Sequence, residues 1–446
     1  MGLEKYDVAV LGAGIAGLTG ARILATQGKR VALIEARSRI GGRIFSLPQQ
    51  RSDLPVELGA EFIHGRPVEV WQLIEEAGLH AYEMDGTMLC FDENSLHECD
   101  EGPGGFDLMR RLIDNGPDQS FAEWLAQQEL PAPIVESAIA FVEGFNAADA
   151  ARIGTAALAK QQAAEDAIQG HLAFRLREGY SALPAFLLKQ FQSHGGEVFL
   201  SAPVISVAWR RGNVRIHAMQ QYQERVFEAD QCIVTVPLGV LQSGSIHFAP
   251  SPSKTFHAVS QMAMGSAKRI TFLFRERFWQ MKFPNAHFLF SQQDLMRVWW
   301  MPSPDLTPML TGWIGGPKSL DASLFPDTDF AALGLRTLAK IFSVPEEHLR
   351  ELLVSWHTHD WQRDPFSLGA YSYAPKGALE ASEVMSIPVE DTLFFAGEHT
   401  DTTGHWGTVH GALRSGQRAA RQVLMLDGPG KPIGFMSGFN TARGPQ

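Results

Sequence analysis

One stretch near the start of the chain, Tyr6 to Arg43, restricts the fold more than any other. Tyr6-Asp7-Val8-Ala9-Val10-Leu11 is an apolar run of the kind that forms a strand buried on both faces of a parallel sheet. Gly12-Ala13-Gly14-Ile15-Ala16-Gly17 follows at once, then a helical run from Leu18 to Gln27 that Gly28 stops. Arg30 to Glu35 reads as a second strand of the same kind. Strand, glycine turn, helix and strand in this order make a βαβ unit. Its glycines let the backbone approach a pyrophosphate, whose charge then sits on a helix N-terminus. Glu35 closes the second strand, and a carboxylate there accepts from both ribose hydroxyls of an adenosine and repels a 2′-phosphate. We therefore expect an adenine dinucleotide, held by Gly12, Gly14, Ile15, Ala16, Gly17 and Glu35.

Ala36-Arg37-Ser38-Arg39-Ile40-Gly41-Gly42-Arg43 comes directly after Glu35. Two glycines and an arginine here would add a second set of backbone and guanidinium contacts to the phosphates. A nicotinamide dehydrogenase has no need of them. The segment resembles the flavin-containing amine oxidase superfamily, which includes polyamine oxidases, monoamine oxidases and lysine-specific histone demethylases. Later stretches carry the same resemblance in family order: Val56 to Gly65, Gln231 to Leu241, Met264 to Trp279, Trp361 to Tyr373, Thr392 to Thr400 and Thr408 to Gly416.

The resemblance implies an α/β flavoprotein, a Rossmann-like FAD-binding domain of the amine oxidase and glutathione reductase type with an inserted α+β substrate domain. The FAD-binding domain would come from 1–80, 196–265 and 385–430. The substrate domain would come from 81–195 and 266–384, with 431–446 a loose tail. Ala36, Arg37, Gly41, Gly42 and Arg43 would help hold FAD. Gly59, Ala60, Glu61 and Phe62 would run past the flavin ring, small at 59 and 60 because the ring leaves no space. Val204 would meet the adenine, and Pro237 and Trp361 would lie against the cofactor. Gly397, Glu398, Thr408 and Val409 would bind its ribityl, pyrophosphate and pyrimidine parts. Monoamine oxidases attach flavin through a cysteine at the position of Ala370, so non-covalent FAD is expected.

The same resemblance implies the reaction. Hydride passes from the carbon beside a neutral amine to flavin N5, and water hydrolyses the imine to an aldehyde or ketone. Ammonia or an amine leaves, and oxygen takes the electrons as hydrogen peroxide. A small polyamine-type substrate is favoured. An L-amino-acid oxidase, which needs an arginine to clamp a carboxylate, stays open. So does a desaturase or dehydrogenase that uses an acceptor other than oxygen. Tyr371 matches one wall of an aromatic cage, which steers an amine by shape and cation–π attraction. Thr408 takes the second cage position. His64 falls where polyamine oxidases place an acid or histidine at the substrate, and His410 is expected to pack or cap.

Relatives carry a lysine that holds a water against flavin N5, nine residues before the Phe of a Phe-Trp pair. Counting back from Phe278 gives Arg269, with Lys268 one residue early. A slip of one residue turns a strand side chain to the other face. Either Arg269 replaces the lysine, or a bulge brings Lys268 in. The ungapped count favours Arg269.

Composition removes other classes. A net charge of −11 leaves no broad basic face for nucleic acid. No apolar run reaches the roughly 18–20 residues of a membrane helix, and the first strand starts too early to leave room for a signal peptide. Cys90, Cys99 and Cys232 show neither metal-ligand spacing nor a disulfide framework, which points to a reducing, cytoplasmic setting. His357 and His359 share a strand face, yet no third ligand accompanies them, so no metal is expected. The acidic run from Glu83 to Glu101 reads as an irregular solvated stretch. Nothing in the sequence specifies an oligomeric state.

Overall fold

The computed structural model describes residues 5–50, 52–100, 106–112, 116–221, 223–292 and 294–426. The expected tail at 431–446 lies outside them. Lys5–Leu11 forms the central strand, with parallel neighbours Val31–Ile34 on one side and Gln223–Val234 on the other. Glu197–Phe199 extends the sheet beyond Val31–Ile34, and Leu393–Phe395 pairs in parallel with the end of Gln223–Val234. The other half of that long strand carries a meander through Asn213–Gln220 and Val204–Arg210. Alternate residues serve opposite faces, as the pleat requires. Ala9, Leu11, Ile34 and Val234 enter one core; Val8, Val10, Leu33 and Ile233 enter the other. The second core is closed by helices Ile15–Thr26 and Val409–Met425.

A second, seven-stranded sheet runs in the order Leu353–His357, Ala267–Phe274, Met309–Gly315, Val298–Trp300, Ala286–Ser291, Thr87–Asp92, Ser95–Glu98. Every residue of Ala267–Phe274 is buried. Ile270, Phe272 and Phe274 pack towards helix Asp327–Phe342 with Phe330 and Leu338. The alternate residues face the other way: Leu273 packs with Val56 and Leu58, and Ala267 with Ala147 and Ala370.

Two expectations change here. The run from Glu83 is not irregular: Thr87–Asp92 and Ser95–Glu98 form a hairpin whose Leu89 and Phe91 are core residues. Asp92 takes an outward position beside Phe91 and Glu93 lies in the turn, so the charges hid the period-two pattern of Thr87–Asp92. The cysteines also pair, contrary to expectation, since Cys90 and Cys99 form a disulfide across that hairpin. Two cysteines nine apart become neighbours only once the turn between them is recognised.

Candidate active site

A cavity of about 840 Å³ runs from the end of the central strand to the face of the seven-stranded sheet. At its first end lies the glycine turn. No side chain caps helix Ile15–Thr26, so its first N–H groups remain for a ligand. A Cβ on Gly14 would meet nothing within 4 Å, which leaves the backbone open there. Glu35 lies buried on the floor, one oxygen accepting from Ala13 N at 2.7 Å and the other from Arg37 N at 2.8 Å. A fixed carboxylate beside free helix-terminal N–H groups fits the ribose and pyrophosphate of FAD. Ile15, Ala16, Ala36, Gly41, Gly42, Val204 and Pro237 line the same end, and Gly12 does too.

Three residues expected here have other work. Gly17 does not line the cavity; a Cβ there would come within 1.9 Å of the Gly12 carbonyl, so its smallness serves helix–strand packing. Arg37 lines the wall, but its guanidinium donates to Asp364 at 2.7 Å and Ser367 at 2.9 Å. It pins the 364–367 turn against the site. At Gly59 a Cβ would lie 1.8 Å from the Arg43 carbonyl and 3.1 Å from the Trp361 ring. Protein packing alone demands glycine at 59.

Midway, Arg43 donates to the Ala370 carbonyl and to Glu398, each at 2.8 Å. Glu398 is buried and also accepts from Ser372 Oγ at 2.6 Å and Gly407 N at 2.9 Å. Burial alone would raise its pKa, but the Arg43 charge and these hydrogen bonds hold it below the usual carboxylate range. Gly397, Ala60, Thr408 and Val409 border this middle section. Trp361 closes it, donating from its indole to the Leu58 carbonyl at 2.8 Å. Thr408 caps helix Val409–Met425, and its hydroxyl is taken up by Gly411 N and the His405 carbonyl.

The far end is an aromatic chamber. Phe62 meets Trp300 at 5.3 Å and His64 at 6.0 Å between ring centroids, both edge-on. The Tyr371 hydroxyl donates to the Phe145 carbonyl at 2.7 Å, which tethers the ring at the chamber wall. His64 is neutral, its pKa lowered to about 4 by burial.

Arg269 opens into this chamber and Lys268 does not. The ladder between Ala267–Phe274 and Met309–Gly315 is regular from Ala267 to Leu273, so no bulge separates the two residues from their expected faces. Lys268 points to the helix side, 4.7 Å from the Phe330 ring and 3.4 Å from Asp327. Arg269 donates to the Gly59 carbonyl at 2.9 Å and pairs with Glu61. Glu61 is therefore not free for a cofactor. Its other oxygen lies 3.0 Å from both Arg175 and the Trp300 indole nitrogen. Burial opposes its ionisation, yet the two guanidiniums keep its pKa below the ordinary value.

Sequence reasoning missed Arg175, Gln161 and Glu165. Arg175 sits on the short strand Ala173–Leu176. Gln161 and Glu165 lie on helix Thr155–Ala167 and line the chamber beside His410. An alternation of apolar residues in Ala173-Phe174-Arg175-Leu176 was the one available signal. His357 hydrogen-bonds Ser355 at 3.1 Å and His359 hydrogen-bonds Asp364 at 2.9 Å, so both have protein partners.

The chain is similar to known proteins over most of its length. The sequence profile of the family described as flavin containing amine oxidoreductase matches residues 15–98 and 108–424. Polyamine oxidase 3 of Oryza sativa subsp. japonica is 27% identical, over 93% of this chain and 88% of its own length. Lysine-specific histone demethylase 1 homolog 1 of the same plant is 25% identical over 95% of this chain, which spans 52% of that protein. Among solved structures, putrescine oxidase bound to putrescine superposes with a TM-score of 0.80 at 21% identity, covering 95% of this chain and 99% of that one. Cyclohexylamine oxidase from Brevibacterium oxydans IH-35A gives 0.80 at 19%, covering 95% and 100%. With the profile spanning both the dinucleotide end and the aromatic chamber, the chain belongs to the flavin containing amine oxidoreductase family, as a FAD-dependent oxidoreductase acting on amines.

Proposed function

We propose that this enzyme oxidises a small amine of the polyamine type at the carbon beside nitrogen, and that the aromatic chamber is where it does so. When bound, FAD supplies the hydride acceptor and passes the electrons on to oxygen or another acceptor. The protein's part is to orient the amine, exclude water and supply charge. Phe62, Trp300 and Tyr371 give flat apolar walls that hold an alkyl chain and attract a cationic end. Arg269 supplies a guanidinium at the chamber wall, paired with Glu61. We assign non-covalent FAD to the groove from Glu35 to Thr408, and the two large sheets to two domains divided as the resemblance implies.

One observation carries the preference for amines over amino acids. Arg269, one of the arginines lining the cavity, is matched by Glu61 and the Gly59 carbonyl, so it does not offer the free fork that clamps a carboxylate. The names of similar proteins, polyamine oxidase 3 and putrescine oxidase, agree with this reading. Anaerobic mixing with putrescine, spermidine, hexylamine and L-amino acids tests it. Bleaching of the flavin by the amines supports the proposal, and bleaching by L-amino acids alone overturns it.

A further inference from the structure

Three polar atoms without hydrogen-bond partners lie at the chamber wall: Glu165 Oε2, His405 Nε2 and His410 Nε2 are all buried, Glu165 and His410 lining the cavity and His405 behind them. One nitrogen or carboxylate oxygen from each of these three residues lies within 4.8 Å of the other two. Glu165 comes from helix Thr155–Ala167, His405 from the turn before the last helix, and His410 from that helix's first turn. His405 and His410 are almost fully buried, at 4% and 3% exposure, with ring centroids 4.6 Å apart. Burying three unpaired polar atoms together is costly unless something enters the gap between them.

The surroundings say what enters. Arg414 Nη1 donates to His405 Nδ1 at 2.7 Å, and arginine can only donate. Neutral His405 therefore carries its proton on Nε2, the atom facing the gap. The Ala164 carbonyl also faces this ring. A metal ion needs the lone pair that this arrangement removes. His410 sits at the positive end of a helix, close to His405 and His64, and stays neutral there. Asp166 adjoins Glu165, and Asp401 lies beside His405. Arg414 is itself paired with Glu69, so its charge does not neutralise Glu165. The gap thus presents one carboxylate acceptor beside an N–H donor, opening into a chamber that takes cations.

We propose that Glu165, beside His405 and His410, accepts the proton from the substrate's ammonium group as it enters the chamber. The N–H bond of the ammonium breaks, its electron pair stays on nitrogen, and an O–H bond forms on Glu165. No oxidant is consumed. The amine is then neutral, as loss of hydride from its carbon requires. This inference rests on the proposed amine chemistry. The carboxyl's affinity suits the task, since burial and then Asp166 raise its pKa to about 7.

The test is anaerobic stopped-flow reduction of the FAD-loaded enzyme by saturating putrescine and hexylamine, from about pH 6 to about pH 10, below the free amine's ordinary range near 10.4. Glu165→Gln should slow the limiting rate about 100-fold at neutral pH, the scale of positioned proton transfer. The deficit should shrink as pH rises, and should vanish for a fluorinated alkylamine already neutral in solution. His410→Asn, which leaves the carboxylate in place, should give a smaller deficit with the same pH dependence and the same rescue. A deficit equal at every pH means a structural role and overturns the proposal, as does no deficit in either variant. Weaker binding of putrescine alone, with an unchanged limiting rate, would make Glu165 an anchor for a second ammonium and overturn it too. So would one equivalent of zinc retained by wild type and lost in His405→Asn. If no amine reduces the wild-type flavin, the proposed function fails instead.

Discussion

Arg269 and its partners show how single residues divide the work. A buried arginine needs a carboxylate, and Glu61 supplies it while being shared with Arg175. Removing one member of such a group leaves the others charged and unpaired, at a cost of about 3–5 kcal/mol. Glu61→Ala should therefore lower the unfolding free energy by about that much in a denaturant titration. An unchanged midpoint would mean that Arg175 and Arg269 find other partners. Arg269→Met should change the rate at which oxygen reoxidises the reduced enzyme, whereas Lys268→Met should not, because Lys268 faces helix Asp327–Phe342. A change confined to Lys268→Met in stopped-flow traces would refute this placement. Glu35→Ala should release FAD, a charged hydrogen-bond acceptor being worth about 1.5–3 kcal/mol; full flavin occupancy after gel filtration would contradict that. The position of Arg269 was legible because counting along a strand fixes a face. The role of Glu61 was not, because its partners lie 114 and 208 residues away and only the fold joins them.

At the scale of elements, the first βαβ unit was readable because its signals are local: an apolar run, glycines, a periodic helix and an acid. The observed helix starts at Ile15, inside the glycine motif, rather than at Leu18. The strand Ala173–Leu176 was hidden because four residues give too short a pattern against flanking helices. The hairpin Thr87–Asp92 with Ser95–Glu98 was hidden by its charge. That hairpin ends the seven-stranded sheet, and Cys90–Cys99 ties its strands together. Closing a loop of this size is worth about 2.5 kcal/mol in the chain-entropy account. Cys99→Ser should lower stability by about that amount under non-reducing conditions, and a mild reductant should remove the difference. Equal midpoints before reduction would show that the bond does not constrain the chain.

For the whole molecule, burial of neutral histidines sets an acid limit. His64 and His399 have pKa values lowered to about 4 by burial, so the unfolded chain binds protons first as pH falls. Their contribution to stability is complete above about pH 6.5 and is lost progressively towards about pH 4. Glu165 has the opposite sign. Its raised pKa costs stability progressively as pH rises from about 4.5 to about 7 and fully above that, so Glu165→Gln should raise the melting temperature more in mild alkali than in mild acid. Melting curves across that range check both. The cavity itself joins the glycine turn, Glu398 and the Tyr371 chamber, with lining residues spread from 11 to 412 along the chain. Its two ends were legible as separate motifs, but their continuity was not, since it depends on how one sheet packs against the other. The proposed function rests on that continuity: one cavity offers the dinucleotide a place at one end and the amine a place at the other. The most direct test is anaerobic reduction of Tyr371→Ala beside wild type, with FAD content measured on both. The account requires equal, acid-releasable FAD and a slower bleaching of flavin by amine in the variant. Equal bleaching rates, or flavin that stays on the acid-precipitated protein, would contradict it.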